Sequence, residues 1–390
     1  MRIRRPALVY FALYAGGGAF LPYSTLYYQS RGLDLARIGL LLSIGALLGL
    51  VASPLWGALS DRVAGSPRVL VAGAAVALVG LAGLALADEF SGILAANVVL
   101  SIGIAGLSPI IDARALEHAG DERAGFGPLR AWGSLGWVVS SLLTGIATQA
   151  LGLWVLFWVA GSLYVLTALL GLGLHPIAHR RAERPLRSAL ERFRGGPLGV
   201  FMIGGFLSGA ALFVTIDFQP LRIDELGGSR TIVGLGSAIP AAIEVPTMLA
   251  FPWLARRFGG HRLLVVGAIV LALRSFLSAI STTPEFLVAG AGIGGVGYAL
   301  FTIGAITFVS ERLPRDVAAT GQGIFQGIAN GLSSVVAAAA GGAIAAQVGL
   351  AGLFGTATVI ALASVVAVAI AVRGSSDGAV VVRPAVDGIP

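Results

Sequence analysis

Five ionisable residues in or next to the long apolar stretches of the sequence need an explanation, because a charged side chain is unfavourable there. They are Asp112, Arg130, Asp217, Glu244 and Arg274. A charge at the middle of a bilayer costs about 2.5 to 3.5 kcal/mol, so each of these residues requires a structural or a functional reason. An acid and an arginine together can bind a polar solute through paired hydrogen bonds, or can bind and release a proton when one partner moves.

Glu244 and Arg274 lie on consecutive apolar stretches, each near the middle of its stretch. Because both would be deep in a bilayer, we expect them to meet as an ion pair. Such a pair is either a structural salt bridge between two helices or a proton site, in which a conformational change moves one partner. Asp217, near the end of the preceding stretch, is a further candidate for proton coupling or a simple partner of Arg222.

Asp112 and Arg130 flank a charged turn between two apolar stretches. They are either loop-edge charges without a function or a pair that holds a solute through bidentate hydrogen bonds. Trp137 follows Arg130 by two helical turns, and its ring either packs against other helices or stacks on the solute. Tyr14 lies one turn after Tyr10 in the first apolar stretch, and we expect Tyr14 to line the same pocket.

Uncharged polar side chains recur at intervals of four residues on two predicted helices, which places each set on one helix face. Stripes of this kind either bind helices together or line a cavity. The members that we predict to contact a solute are Asn97, Gln322 and Gln326, with Ser101 and Asn330 beside them in the same stripes.

The composition shows which elements must position these residues. Hydrophobic residues make up 56% of the 390 positions and charged residues only 12%, whereas soluble domains have about 25% charged residues. Hydropathy predicts twelve apolar helices of membrane-spanning length. They lie near residues 8–28, 37–59, 68–87, 92–117, 127–149, 152–173, 197–220, 231–254, 262–281, 286–309, 317–347 and 351–372. The predicted fold class is therefore an all-α membrane protein.

The helices are predicted to form two six-helix halves, residues 1–174 and 197–373. A basic linker, 175–196, joins them on the cytoplasmic side, and the tail 374–390 is predicted to be disordered because it is rich in Gly, Pro and Val. Shifting the chain on itself by 195 residues aligns the turn after the second stretch with the turn after the eighth. Such a repeat is typical of a duplicated transporter whose binding site lies between the halves.

The arginines predict the orientation of the chain. All 26 basic residues are arginine, and with a cytoplasmic N-terminus 20 of them fall in cytoplasmic segments and four in outer segments. The positive-inside rule therefore predicts that both termini are cytoplasmic, and it accounts for the net charge of +7 without a nucleic acid partner. The predicted location is the inner (cytoplasmic) membrane, which the chain crosses many times.

The turn after the second stretch, Gly57-x-x-x-Asp61-Arg62, resembles the signature loop of the major facilitator superfamily, and the two-half layout resembles that superfamily over the whole chain. In that resemblance the loop acts as a conformational latch. Asp61 would meet a helix N-terminus, or an arginine at the cytoplasmic end of the eleventh helix, in one state of alternating access only.

A second motif narrows the resemblance. An aromatic-glycine pair, Phe126-Gly127, leads into Arg130 and a Gly-x-x-Gly, with Asp112 lying 18 residues upstream of the arginine. This run resembles the fifth helix of the branch that contains phenylpropionate permease and the oligosaccharide and nucleoside proton symporters. The resemblance implies that Asp112 and Arg130 face a central cavity and hold the solute, and it favours a proton-coupling role for Glu244 and Arg274.

Composition excludes several other functions. The chain has no cysteine and no lysine, so it has no disulfide, no thiolate nucleophile, no cysteine-based zinc site and no P-loop lysine of an ATP-driven pump. We expect no cofactor, with the proton gradient as the source of energy. A membrane enzyme or sensor on the same scaffold has no metal cluster and no paired-aspartate phosphate site to support it, so we expect the protein not to be an enzyme.

We therefore expect a secondary transporter that works by alternating access, as a proton-coupled symporter importing a small polar or anionic solute. A saccharide, a nucleoside and an aromatic carboxylate all suit an Asp–Arg pair beside aromatic rings. The alternative is a proton-driven antiporter that exports amphiphilic compounds or drugs, because Glu244 can serve antiport equally well. The expected partners are the solute, protons and the lipid bilayer, and the chain is expected to act as a monomer.

Overall fold

The computed structural model describes residues 4–63, 67–112, 126–174, 186–314 and 317–376. Within these ranges the secondary structure consists of helices joined by short turns. Ten of the described helical segments are long and apolar enough to cross a membrane. The prediction of an all-α membrane protein is therefore confirmed.

Six helices form the N-terminal half. They are α1 (Arg4–Ser30), α2 (Leu35–Arg62), α3 (Arg68–Leu86), α4 (Phe90–Ala105), α5 (Phe126–Leu151) and α6 (Val155–Leu172). The carboxylate of Asp34 accepts a hydrogen bond of 2.8 Å from the backbone N–H of Arg37, so it caps the start of α2. α1 packs against α5 and α6, whereas α3 packs against α4 and α6.

The C-terminal half follows a short linker helix, Leu186–Arg192. It contains α7 (Gly196–Glu225), α8 (Arg230–Phe258), α9 (Gly260–Ala279), α10 (Pro284–Ser310), α11 (Ala318–Gln326) and α12 (Ser333–Ser376), with a π-helical turn (Gly327–Leu332) between the last two. The hydroxyls of Ser229 and Thr283 accept backbone N–H groups at the starts of α8 and α10. These two caps explain why the helices begin there.

The fourth apolar stretch, predicted as one helix, is interrupted at a glycine. α4 ends just before Gly106, and the chain is helical again up to Asp112. The indole N–H of Trp56 on α2 donates to the Ile102 carbonyl at 2.7 Å, which is the acceptor that the Gly106 N–H would use in a continuous helix. Because Gly106 has no Cβ, the indole fits against it.

The last apolar segment, Ala318–Gly374, is 57 residues long. At 1.5 Å per residue an unbroken helix of this length would measure about 85 Å, which is more than twice the thickness of a bilayer core. The φ angle of Gly349 is 73°, a left-handed conformation that breaks the helix and that glycine adopts without strain. This break falls between the eleventh and twelfth predicted stretches. α12 continues to Ser376, three residues into the predicted tail.

α1 is not one of the ten segments, because it carries many tyrosines and glycines. Its tyrosines Tyr10, Tyr23 and Tyr28 are buried, and the Tyr23 hydroxyl donates to the Ser141 carbonyl on α5 at 2.5 Å. α1 packs against α5, α6, α7 and α8. Since these neighbours shield it from lipid, the surface of α1 can be less apolar than that of a lipid-facing helix.

The two halves contact each other near the starts of α2 and α8, a region that we call the closed end. A Cβ on Gly39 of α2 would lie 2.6 Å from Cα of Gly342 on α12. Arg230, the first residue of α8, donates from Nη1 to the Thr148 carbonyl near the end of α5 at 2.7 Å. Both crossings depend on close backbone approach or on buried hydrogen bonds, so they hold the halves together at this end.

Toward the other end, which we call the open end, the halves diverge. A Cβ on Gly331 would still lie 2.8 Å from Leu50 of α2. Gly327 of the π-helical turn and Gly323 of α11 precede Gly331 at intervals of four, yet a Cβ on either would meet no described atom within 4 Å, and the same is true of Gly57 on α2. The cleft between the halves therefore widens from Gly331 toward Gly57.

Candidate central binding site

The carboxylate of Asp112 is held by α1. The Tyr10 hydroxyl donates to Oδ1 of Asp112 at 2.7 Å, and the Ser108 hydroxyl and the Arg130 guanidinium are also close enough to interact with this carboxylate. Tyr14 is hydrogen-bonded to Ser108 at 2.9 Å, and the rings of Tyr10 and Tyr14 stack with their centroids 6.2 Å apart. Asp112 is therefore fixed in position by side chains of its own half.

Arg130 lies over the aromatic face of Tyr14, with Cζ 4.2 Å from the ring centroid. Gly133, one turn later on α5, leaves room for both groups, since a Cβ there would lie 2.8 Å from the Tyr14 ring and 3.0 Å from Nη1 of Arg130. A cation–π contact positions a guanidinium without using its N–H donors. Those donors remain free for a carboxylate or for solute hydroxyls.

Glu244 on α8 brings a second carboxylate from the other half. Arg130 attracts this carboxylate electrostatically, and Tyr298 on α10 lies within electrostatic range of Glu244, Arg130 and Tyr14. Within the ranges that the structure describes, the Glu244 side chain has neither a hydrogen bond nor an ion pair. One cation thus faces two carboxylates from opposite halves. We use the name central site for Tyr10, Tyr14, Asp112, Arg130 and Glu244.

The predicted ion pair between Glu244 and Arg274 is wrong for this structure. Arg274 is only 4% exposed and donates from Nη2 to Gln219 on α7 at 3.3 Å, while Gln219 donates to the Gly236 carbonyl at 3.0 Å. Gly294 on α10 makes space for the arginine chain. Arg274 therefore extends toward α7 and α10, whereas Arg130 is the cation that acts on Glu244.

The predicted alternative partner of Asp217 is also wrong. Arg222 binds the carboxylate of Glu225 at 2.8 Å and the Ser281 carbonyl at 2.8 Å. Asp217 itself is half-buried on α7, and its carboxylate has no hydrogen bond or ion pair with any described residue. A proton-coupling role for Asp217 stays a prediction.

Trp137 connects the two halves instead of standing free in the cleft. Its indole N–H donates to the Ser237 hydroxyl on α8 at 2.9 Å, and its ring and backbone pack against Gly17 and Gly18 of α1. The side chain is only half-buried. Its predicted contact with a solute is compatible with this position and stays a prediction.

Two of the predicted polar contacts serve other helices in this structure. Asn97 is 7% exposed, accepts a hydrogen bond from Tyr28 at 3.0 Å and donates to the Leu41 carbonyl at 3.0 Å. Gln322 donates to the Ile306 carbonyl at 2.6 Å and to Ser310 at 2.9 Å. A polar stripe can hold helices together or line a cavity, and both of these residues hold helices together in this structure.

Gln326 and Asn330 behave differently from Gln322. Their side chains hydrogen-bond to each other across the π-helical turn and line a small cavity in the C-terminal half. Of the predicted solute contacts on this stripe, Gln326 is therefore the one that faces a cavity.

The predicted latch lies at the open end of the cleft. Gly57 faces open space and Arg62 is exposed. The Asp61 side chain and residues 64–66 lie outside the described part of the chain. A contact with α11 would require the open end to close, so the latch stays a prediction.

Sequence reasoning did not single out Tyr10, Ser108 or Tyr298 as site residues. The Tyr10 hydroxyl meets Asp112, 102 positions away in the sequence, and Tyr14 meets Ser108, 94 positions away, so these contacts depend on the packing of distant segments. Tyr298 has a detectable signal, because its hydroxyl falls in the middle of an otherwise apolar stretch.

Comparison with protein families gives one match over most of the chain. The model of the family described as "MFS_1 like family" matches residues 4–356. This range contains every helix of the N-terminal half and all of the central site.

Three known proteins illustrate the similarity. Maltose permease of Geobacillus stearothermophilus is 29% identical over 346 residues, covering 86% of each chain. The multi-drug resistance efflux pump PmrA of Streptococcus pneumoniae is 23% identical over 356 residues, again 86% of each chain. The crystal structure of nucleoside transporter NupG superposes with a TM-score of 0.83 at 19% identity, covering 96% of this chain and 99% of NupG.

Proposed function

Since the chain belongs to the MFS_1 like family of major facilitator transporters, we propose that it is a proton-coupled symporter that imports a hydroxyl-rich solute, either a saccharide or a nucleoside. Transport by this chain follows from its family and its relatives. The direction, the coupling ion and the solute class are our proposal.

The proposal includes twelve membrane spans with both termini in the cytoplasm. Ten segments have the necessary length and hydropathy. α1 adds one span, since 27 residues reach about 40 Å, and the break at Gly349 divides the last segment into two. The arginine distribution then directs the open end of the cleft toward the cytoplasm. In this arrangement the structure is an inward-open state of an alternating-access cycle.

The observation that carries the proposal is the position of Arg130 between two carboxylates. Asp112 comes from the N-terminal half and is hydrogen-bonded by Tyr10, while Glu244 comes from the C-terminal half and is attracted by Arg130 alone among the described charges. A solute that binds Arg130 changes the environment of Glu244. Binding of solute and binding of a proton are therefore linked through one guanidinium.

Each residue of the central site has a proposed role. Asp112 and Arg130 hold vicinal hydroxyls through charge-assisted hydrogen bonds, and Tyr14 or Trp137 offers a ring face to the solute. Glu244 carries the proton, because it is a carboxyl without a fixed partner and lies across the cleft from the solute groups. Opening of the cleft toward the cytoplasm then changes the distance between Glu244 and Arg130, which drives release of the proton on that side.

The test uses purified protein in liposomes with radiolabelled maltose, uridine and 3-phenylpropionate, each supplied separately. An alkaline interior should drive accumulation of maltose or uridine above the external concentration, and a protonophore should abolish it. Accumulation of 3-phenylpropionate alone would overturn the saccharide or nucleoside class. Accumulation that persists with a protonophore present would overturn proton coupling.

The similarity to an efflux pump over 86% of the chain favours export as a second candidate. In that case an inward proton gradient should drive the export of an amphiphilic cation from liposomes, and neither maltose nor uridine should accumulate. The direction of solute movement under one imposed proton gradient distinguishes the two candidates. A symporter moves the solute in the same direction as the protons, whereas an antiporter moves it in the opposite direction.

A further inference from the structure

A small cavity lies inside the C-terminal half, where the π-helical turn Gly327–Leu332 faces α7 and α10. Its volume is about 20 Å³, which is enough for one water-sized group. Gly209 allows α7 to approach this turn closely, since a Cβ there would lie 2.5 Å from Oγ of Ser333. π-helical turns occur frequently at functional sites, so this cavity is a candidate for binding a ligand.

The polar groups that line the cavity are uncharged. They are Ser208, Tyr298, Thr302, Gln326 and Asn330. Because the described lining contains no carboxylate and no arginine, the cavity does not suit a metal cation or an anion. It suits a neutral group that both donates and accepts hydrogen bonds, such as a hydroxyl.

Ser208 is an independent sign that this cavity suits a polar group. Its side chain is 4% exposed and lines the cavity, yet the hydroxyl has no hydrogen-bond partner in the described part of the chain. Other buried serines of this half do have one: Ser275 donates to the Leu271 carbonyl at 3.2 Å and Ser278 to the Arg274 carbonyl at 3.0 Å. A hydroxyl that lines a cavity and has no partner within the described chain can bond to water or to a ligand, so Ser208 is available to a polar group from outside the chain.

Tyr298 joins the cavity to the central site. It lines the cavity, interacts with Thr302 there, and lies within electrostatic range of Glu244, Arg130 and Tyr14. Tyr298 is therefore shared between the cavity lining and the electrostatic surroundings of Glu244 and Arg130, on the C-terminal side of the cleft.

We propose that this cavity receives one hydroxyl group of the transported solute and that Ser208 and Asn330 hydrogen-bond to it. The inference rests on the proposed function, in which the solute is a saccharide or a nucleoside, and it assigns the contact that the C-terminal half makes. Both solute classes carry several hydroxyls, so the cavity selects for a hydroxyl at one position and is filled by water when no solute is bound.

The test measures binding of maltose, uridine and their monodeoxy analogues to the purified full chain by titration calorimetry. One analogue should bind the native protein at least about fivefold more weakly than its parent, because it leaves the cavity groups unpaired. The variants Ser208→Ala and Asn330→Ala should bind the parent more weakly, but should no longer distinguish it from that one analogue. Discrimination among the other analogues should be unchanged.

Ser275→Ala is the matched control, because it removes a buried serine hydroxyl that is already satisfied by its own helix. It should leave all affinities unchanged. Thr302→Val, which keeps the shape of the side chain, provides a second test if Ser208→Ala does not fold, and it should reduce the same discrimination.

The outcomes separate the two proposals. If maltose or uridine binds and the cavity variants leave every analogue ratio unchanged, the cavity holds only water and this inference is overturned while the proposed function stands. If the variants weaken all analogues equally, the cavity is structural and the inference is again overturned. If neither maltose nor uridine binds the native protein, the proposed function fails and the inference fails with it.

Discussion

The two halves of the molecule treat their ionisable residues in different ways. In the N-terminal half, Asp112 is hydrogen-bonded by Tyr10 and Arg130 is stacked on Tyr14. In the C-terminal half, Glu244 has no fixed partner within the described residues, and Arg274 has only the neutral side chain of Gln219. The same kinds of residue are therefore organised in one half and isolated in the other.

This difference indicates a division of labour. A hydrogen-bonded acid and a stacked guanidinium keep one geometry, which is what recognition of a solute requires. A carboxyl without a fixed partner can change its protonation as its surroundings change, which is what coupling to a proton requires. The comparison assigns recognition mainly to the N-terminal half and coupling mainly to the C-terminal half, and substitutions in each half can contradict that assignment.

The largest effect is expected from Glu244→Gln, which removes the titratable group and keeps the size of the side chain. Accumulation of solute driven by a proton gradient should be lost, whereas exchange of solute across liposome membranes should continue at the native rate. The control is Glu285→Gln, a change of an exposed acid in the first turn of α10, which should alter neither activity. Loss of exchange as well would mean that Glu244 belongs to solute recognition, and the division between the halves would be wrong.

Arg130→Lys should weaken solute binding by about ten- to a hundredfold, because lysine keeps the charge but loses the planar set of donors that pairs with hydroxyls. Binding is measured by titration of the purified protein. Arg31→Lys serves as control, since Arg31 also lies over a tyrosine, Tyr27, at 5.9 Å, but binds Asp88 outside the central site. Equal affinity for the native protein and Arg130→Lys would remove Arg130 from the recognition site.

Tyr10→Phe should weaken solute binding by about fivefold, because Asp112 loses one of its hydrogen bonds without a change of shape and the net contribution of a typical hydrogen bond is about 1 kcal/mol. The ratio of solute to protons transported should remain unchanged, because this residue belongs to the N-terminal half. Tyr27→Phe is the matched control in the same helix, where the hydroxyl bonds to the Leu84 carbonyl. A changed coupling ratio in Tyr10→Phe would contradict the separation of recognition from coupling.

The smallest change tests the closed end, where the halves must separate during the cycle. In Gly39→Ala the closed end should open more often, because the added Cβ would lie only 2.6 Å from Cα of Gly342 and would push the two helices apart. The chain has no cysteine, so a single Ser141→Cys, at a position buried in this structure, reports opening through its rate of alkylation. Gly49→Ala, which meets no described atom within 4 Å, should leave the rate unchanged. An unchanged rate in Gly39→Ala would show that this crossing does not hold the closed end.

The sequence alone predicts the apolar helices and the residues worth examining, because both depend on local composition. Asp112, Arg130 and Glu244 were identified from their charge within apolar stretches, and all three lie together in the structure. The resemblance of the Phe126–Trp137 motif to a transporter branch was sufficient to predict the family.

The partners of those residues depend on tertiary structure. The pairing of Glu244 with Arg274 was predicted from equal depth in the membrane, but depth does not specify the direction in which a side chain extends. Arg274 lies on a face of α9 that packs against α7 and α10, so a neutral glutamine is its partner. Likewise, the Tyr10 hydroxyl reaches Asp112, 102 positions away in the sequence, and α4 is interrupted where the indole of Trp56, 46 positions away, donates to the Ile102 carbonyl.

The sequence by itself determined that the chain is a helical membrane protein, approximately where its apolar helices lie, and which few charges must have a purpose, since hydropathy is a property of short stretches of the chain. Only the tertiary structure decided which of those charges face one another, where the predicted helices are interrupted, which end of the cleft is closed, and that a cavity beside Tyr298 is lined by a serine hydroxyl without a partner among the described residues. These features depend on how the faces of distant helices meet, and helix packing is set by side chains that the sequence separates by tens to hundreds of residues.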